Sequence, residues 1–409
     1  MPKLTWAPFF HLYQPPHWDA VMIEKIARES YRPLLQLLKD HPTVKCSVNV
    51  TGSLTEQLFH LGMVDILHDL RTLASLGQIE FLGTAMYHPI LAKLPDHEIV
   101  RQIELNVHMN RRVFGKAYDP RGFWIPELCY STRVATIIRD FGFHWIVLDP
   151  ICLTAPLPST PTRAMITGVG LDVLFRNRAA SDAFFSPAMK GAKDFSDILA
   201  ANHDAARYPL VTAMDGENIG HHRPELVAIF REILETSNAT FVTGSECIRA
   251  FQRVEEIDVR AGSWASRPEH VDRGVPYILW DDPENPIHVR QWKLLHFVET
   301  TVETLHDDPQ YEKSRTALDE CMMSDQFWWA SAKPWWSADV VKTLTRRLVA
   351  VIENLSTAAP VISRTAHTLE SEIYTLVGTW DTNGKAASIR SRYLSTDSTP
   401  RFMSGHAIH

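Results

Sequence analysis

Cysteine is scarce in this chain and carries no pattern. The five cysteines, Cys46, Cys129, Cys152, Cys247 and Cys321, are widely scattered. No two form a C-x-x-C pair, so neither a disulfide framework nor a zinc ribbon is indicated, and reduced thiols in a cytoplasmic protein are expected. Positive charge is not in excess either. A net charge of −7 leaves no basic surface for nucleic acid or an anionic membrane. No run approaches the roughly 20 apolar residues of a membrane span. The opening stretch from Met1 to His11 lacks the apolar core of a signal peptide. Also missing are a G-x-G-x-x-G opening a helix, a G-x-x-x-x-G-K-[ST], a G-x-S-x-G elbow and an H-E-x-x-H, since His97-Glu98 has no second histidine. Nucleotide binding, serine hydrolysis and zinc proteolysis are thereby disfavoured, and no cofactor or metal is expected.

What is present is an alternation of strand-like and helix-like segments. The chain has 409 residues with 45% apolar and 22% charged residues, enough for one large domain and a smaller one. Short apolar runs predict strands at 5–11, 44–50, 78–83, 121–125, 143–148, 171–175, 209–214 and 240–243. Between them, Ile99, Ile103, Val107 and Phe114 share a face in a predicted helix over 97–114. A second helix is expected over 131–141, with Ser131 or Thr132 as N-cap and Gly142 closing it. Such β-α alternation predicts a parallel sheet closing into a barrel over residues 1–260. Residues 261–286 read as a loop carrying Trp264, Tyr277 and Trp280, and helices are expected over 286–307 and 337–355. The reading is a helical domain over 261–370 and an unassigned tail over 371–409.

Two of the strands end in carboxylates. Phe123-Trp124-Ile125-Pro126 runs into Glu127, and Val211-Thr212-Ala213-Met214 runs into Asp215 before the polar turn Gly216-Glu217-Asn218. Carboxylates on the C-terminal rim of a β/α array are the minimal kit for breaking a glycosidic bond, one as nucleophile and one as proton donor. Each alone has an ordinary alternative: Glu127 favoured by the start of a helix, Asp215 bonding its own turn. His11 ends the first strand and His88 follows the third, and both suit hydrogen bonding to sugar hydroxyls, though a lone histidine is more often structural, or can hold a divalent metal as in deacetylases on related barrels. Tryptophan is unusually grouped at Trp264, Trp280, Trp292, Trp328, Trp329, Trp335 and Trp336, with ring faces suited either to sugar stacking or to a domain seam.

Taken together these segments resemble glycoside hydrolase family 57. His11-Leu12-Tyr13-Gln14-Pro15 is similar to the family's H-x-H-Q-P, and Gly77-Gln78-Ile79-Glu80-Phe81-Leu82-Gly83 to its G-x-x-E-x-x-G. Trp124-Ile125-Pro126-Glu127 matches the nucleophile segment, and Asp215-Gly216-Glu217 the acid segment. Tyr13 departs from the pattern, standing where many members have a second histidine. The resemblance implies an incomplete TIM-like (β/α)7 barrel with a C-terminal helical domain that completes the cleft. It implies a retaining hydrolase or transglycosidase acting on an α-glucan chain, with Glu127 as nucleophile and Asp215 as general acid/base. His11, Glu80, His88, Trp124, Glu217, Trp264 and Trp280 are the candidate substrate contacts. Branching, α-galactosidase action and a metal-dependent deacetylase on a related barrel are the alternatives.

Overall fold

The computed structural model describes residues 4–154, 163–203, 208–250 and 256–395. These fall into two compact units, residues 4–86 with 91–264, and residues 87–90 with 265–395.

The first unit is built on β1 (Leu4–Leu12), β2 (Cys46–Val50), β3 (Ile79–Leu82), β4 (Gly122–Phe123), β5 (Trp145–Leu148), β6 (Arg163–Ile166), β7 (Asp172–Phe175), β8 (Leu210–Asp215), β9 (Ala239–Phe241) and β10 (Glu256–Ile257). Two sheets contain them, ordered β3-β2-β1-β8 with β9 also on β1, and β10-β6-β7-β5-β4. Among the pairings of the described strands, only β6–β7 is antiparallel. Single contacts link the sheets: a parallel bridge from Gly83 to Phe123 joins β3 to β4, and the Asn177 amide reaches the Val211 carbonyl at 2.7 Å beside β7 and β8. The β6 and β10 strands were not anticipated from sequence, being too short and too mixed to give a period.

Residue parity decides what each strand presents. In β1, Trp6, Phe10 and Leu12 join the large apolar cluster formed with the helices, while Ala7 and Phe9 join a second cluster on the opposite face. β8 divides likewise, with Leu210 and Met214 among the helices and Val211 and Ala213 in the second cluster. By the same parity His11 and Asp215 lie on the face of this second cluster, and parallel pairing sets them side by side in register. Asn49 of β2 is the register partner of His11 on its other edge.

Helices fill the connections. Ser131 caps Thr132–Asp140 by accepting from the Val134 amide at 3.3 Å. The helix Asp96–Phe114 departs from the simple apolar stripe: Ile99, Ile103 and Phe114 are buried, Val107 only partly, and Glu98, Gln102, Asn106 and Asn110 are buried too. The second unit is helical, with Pro286–Thr304, Tyr311–Cys321, Ala338–Asn354, Pro360–Thr382 and Lys385–Ser395 as its longer members. The tail left unassigned from sequence thus holds ordinary helix up to Ser395, and residues 396–409 lie outside the described residues. Ala366, Leu369, Ile373, Val377 and Trp380 form the buried stripe of Pro360–Thr382. No described helix is long and apolar enough to cross a membrane.

Candidate active site

Asp215 is the last residue of β8 and is partly exposed as a residue. Burial pushes it from an ordinary 3.8 up to about 7, against the opposing charge of Arg176. His11 beside it is buried, its Nδ1 2.5 Å from Asn49 Oδ1. Burial lowers His11 to about 4, although the Asn49 bond works the other way, so its imidazole is neutral near pH 7.

Glu127 is placed by backbone geometry. Pro126 ends the β4 extension, and Glu127 then takes φ 56° and ψ 14°, followed by Leu128 at φ 48°. Left-handed backbone at a residue with a side chain costs about 1–3 kcal/mol, so the surroundings must impose it. The Leu128 amide bonds Ile125 O at 2.8 Å, the Cys129 amide bonds Pro126 O at 3.0 Å, and the Tyr130 amide bonds Gly262 O at 2.9 Å. Trp264 grips the residue itself, its indole Nε1 donating to Glu127 Oε2 at 2.8 Å.

Aromatic rings connect the two carboxylate segments. His11 lies flat on Trp124 with centroids 5.1 Å apart and an interplanar angle of 5°. Trp264 meets Trp124 edge-on at 5.6 Å and His11 at 6.4 Å. Tyr13 stacks on His11 with centroids 6.0 Å apart, so the residue that departs from the family pattern adds a ring to the same cluster.

Glu217 sits in the tight turn after Asp215, almost fully buried. Tyr31 Oη donates to its Oε1 at 2.5 Å and Gln14 Nε2 at 2.8 Å. Burial, and then the charge of Asp215, push Glu217 up to about 8 against those two donors.

The other candidates are placed differently. Glu80 belongs to the first unit and is the register partner of Ser47, while Asn49, two residues further along β2, pairs with His11. Its Oε2 accepts the Ser245 amide at 2.8 Å, its other oxygen bonds the Ser245 hydroxyl, and Ser47 Oγ lies at 3.4 Å. It thus anchors the start of the helix Gly244–Ala250 one layer below His11 and is not gathered with it. His88 and Trp280 belong to the second unit. His88 Nδ1 lies 3.1 Å from Ser324 Oγ, and Trp280 is buried with its carbonyl accepting from Trp292 Nε1 at 2.9 Å.

Sequence reading missed a charge network on the same strand ends. Arg176, after β7, donates to Asp149 Oδ2 at 2.6 Å and to Asp182 Oδ1 at 2.9 Å. Arg178 donates to Asp149 Oδ1 at 2.7 Å and to the Trp264 carbonyl at 3.3 Å. Burial would raise Asp149, but the two guanidinium groups outweigh it and hold its carboxyl below the usual range. Asp149 and Arg176 each follow an apolar run, the signal that singled out Glu127 and Asp215.

Known proteins resemble this chain in sequence and in fold. The alpha-amylase of Pyrococcus horikoshii is 28% identical over 149 residues, which is 36% of this chain and 23% of that protein. The 4-alpha-glucanotransferase structure from Thermococcus litoralis superimposes with a TM-score of 0.68 at 18% identity, over 87% of this chain and 60% of that one. A branching enzyme structure from Thermococcus kodakaraensis gives 0.67 at 16% identity, over 99% and 97%. At these identities the structures speak for the fold alone. The stretch matched to the amylase is about a quarter of that protein's length. The profile of glycosyl hydrolase family 57 matches residues 6–260, which contain Glu127, Asp215 and the ring cluster, and the chain belongs to that family.

Proposed function

We propose that this chain is a retaining glycoside hydrolase or transglycosidase acting on α-linked glucose chains. In this reading the first unit is an incomplete (β/α)7 barrel and the second its C-terminal helical domain. The observation that carries it is the ring cluster of His11, Trp124 and Trp264, which adjoins Asp215 through strand register and bonds the carboxylate of Glu127. The names of the relatives, an alpha-amylase and 4-alpha-glucanotransferases among them, support the substrate class.

Asp215 is the group suited to hold a proton near neutral pH and give it to the departing glycosidic oxygen. Glu127 attacks the anomeric carbon, forming a covalent glycosyl-enzyme as the bond to the leaving oxygen breaks. Asp215, now ionised, takes the proton from the incoming acceptor, whose oxygen displaces Glu127. Water as acceptor gives hydrolysis, and a sugar hydroxyl gives transfer. For this route the two carboxyl groups belong about 5–5.5 Å apart with substrate bound. The chemistry needs no metal or organic cofactor. Among the described residues, the carboxylate and histidine atoms close enough to share a metal ion include none from His11, His88 or Asp215, so the deacetylase reading is not favoured. Five buried, unbridged cysteines support a reducing, cytoplasmic setting.

The test is incubation with one defined maltooligosaccharide, resolving products by length and by the anomeric configuration first formed. Shorter chains alone mean hydrolysis, and shorter with longer chains mean transfer or branching. Retention of the α-anomer is expected, and Glu127→Gln should abolish turnover without unfolding the chain. Inversion, or full activity in that variant, would refute the reading. An untouched substrate directs the assay to α-galactosides.

A further inference from the structure

A π-helical turn, Ala27–Tyr31, interrupts the helical stretch between Ala20–Ile26 and Arg32–Asp40, with the Arg32 amide reaching back to the Ala27 carbonyl. Such turns are rare and concentrate at functional sites, because widening the helix re-aims its side chains. Here three consecutive residues of the turn each hold a different residue of the loop after Asp215. Glu29 Oε2 lies 2.8 Å from His221 Nδ1, Ser30 Oγ donates to the Gly216 carbonyl at 2.9 Å, and Tyr31 Oη donates to Glu217 Oε1 at 2.5 Å. Gly220, at φ 106°, packs so closely that a Cβ there would lie 1.9 Å from the Glu29 carbonyl oxygen. Within the loop, Asn218 Nδ2 donates back to the Asp215 carbonyl at 3.0 Å. The first strand closes the set, since Gln14 Nε2 donates to Tyr31 Oη at 2.7 Å as well as to Glu217.

We propose that Glu29, Ser30 and Tyr31 form a clamp that fixes the loop following Asp215, with Tyr31 the positioning residue that acts on Asp215 through Glu217. The proposal rests on Asp215 being the general acid. Ser30, Tyr31 and Glu217 are buried, so the clamp's central bonds exchange little with water. Its effect on Asp215 is to keep the carboxyl in a poorly hydrated place, where it holds its proton. The groups that face Asp215 are Arg176, itself balanced by Asp149 and Asp182, then His11 from β1, Tyr31 of the clamp and Glu217 from the following loop. Glu29 and His221 stand further out as a partly exposed pair. Loosening the clamp leaves Arg176 in place and admits water, so both influences then favour the ionised carboxyl.

The experiment compares wild type with Tyr31→Phe, Ser30→Ala and Asp215→Asn. The first readout is a 13C NMR titration of the Asp215 carboxyl, which needs no substrate. Tyr31→Phe keeps the ring and removes the donor, and the Asp215 midpoint should fall by about one pH unit. Ser30→Ala should move it the same way by less. The second readout is kinetic, on a maltooligosaccharide and on an aryl α-glucoside whose leaving group departs without protonation. Tyr31→Phe should lower kcat on the oligosaccharide about tenfold, with KM little changed and near-normal rates on the aryl glycoside. An unmoved Asp215 midpoint, or equal losses on both substrates, would overturn the clamp. Full oligosaccharide activity in Asp215→Asn would instead remove the acid assignment on which it rests, a failure visible without Tyr31.

Discussion

The indole Nε1 of Trp264 donates to Glu127 Oε2 at 2.8 Å, and the backbone amide of the same tryptophan lies 3.4 Å from the Glu127 carbonyl. Both ends of a residue with left-handed backbone are thus held by one neighbour. That neighbour also packs edge-on against Trp124 and His11. An aromatic ring can be kept there while the Nε1 donor is removed, so most of the packing is held while the hydrogen bond is lost.

Trp264→Phe should therefore fold and still lose activity. A hydrogen bond to a charged group contributes about 1.5–3 kcal/mol, so kcat should fall roughly 10- to 100-fold if Glu127 is the nucleophile. KM and kcat measured on a maltooligosaccharide check this. A rise in KM at constant kcat would mean that Trp264 only binds sugar.

The raised Asp215 and Glu217 carry a stability signature. Their folded values, about 7 and about 8, lie above the ordinary 3.8 and 4.5, so between these limits the native state binds more protons than the unfolded chain. Their contribution is fully present below about pH 4 and is lost as pH rises through about 7 to 8. Thermal midpoints should fall between pH 5 and pH 8.5, and fall less in Asp215→Asn, by at least about 2 °C. Differential scanning at the two pH values measures it. Parallel declines in both proteins would show that Asp215 ionises normally.

Strand positions were legible because short apolar runs end at Gly, Pro or a charge, and the carboxylates stood at those ends. Register was not legible, since nothing in residues 5–11 says that His11 will pair with Asp215, some 200 residues away. The Ser/Thr-rich tail was unread for a physical reason. Its hydroxyls suggest loop, but Thr375, Thr379 and Thr382 each donate to the carbonyl four residues back within one helix. Polar burial was not legible in Asp96–Phe114, where Gln102, Asn106 and Asn110 lie in the interior beside the apolar face.

That polar face supports a stability prediction. Asn106 Oδ1 accepts the Gly52 amide at 2.7 Å and its Nδ2 donates to Tyr118 Oη at 3.0 Å, tying down the segment that follows β2. Asn106→Ala leaves the buried Gly52 amide without its acceptor, a cost of about 1–3 kcal/mol. Val107→Ala, on the partly buried apolar position beside it, should cost less. Urea unfolding of both variants tests the order, and the reverse order would restore the apolar-stripe reading.

Arg176 joins stability to chemistry. It is buried between Asp149 and Asp182, and its charge opposes the rise in Asp215. Arg176→Met removes one partner of a buried ion network and leaves Asp182 without its ion-pair partner, which costs about 3–5 kcal/mol in such settings. Asp149 keeps Arg178 and should suffer less. With the guanidinium gone, nothing opposes burial at Asp215, and its proton is held to higher pH. The basic limb of the pH–rate profile should therefore move up in Arg176→Met, opposite to the downward shift expected for Tyr31→Phe. Urea unfolding and the pH profile of kcat on a maltooligosaccharide are the two measurements. A destabilised variant whose basic limb stays in place would confine Arg176 to holding the strand ends together, and would assign the proton affinity of Asp215 to burial alone.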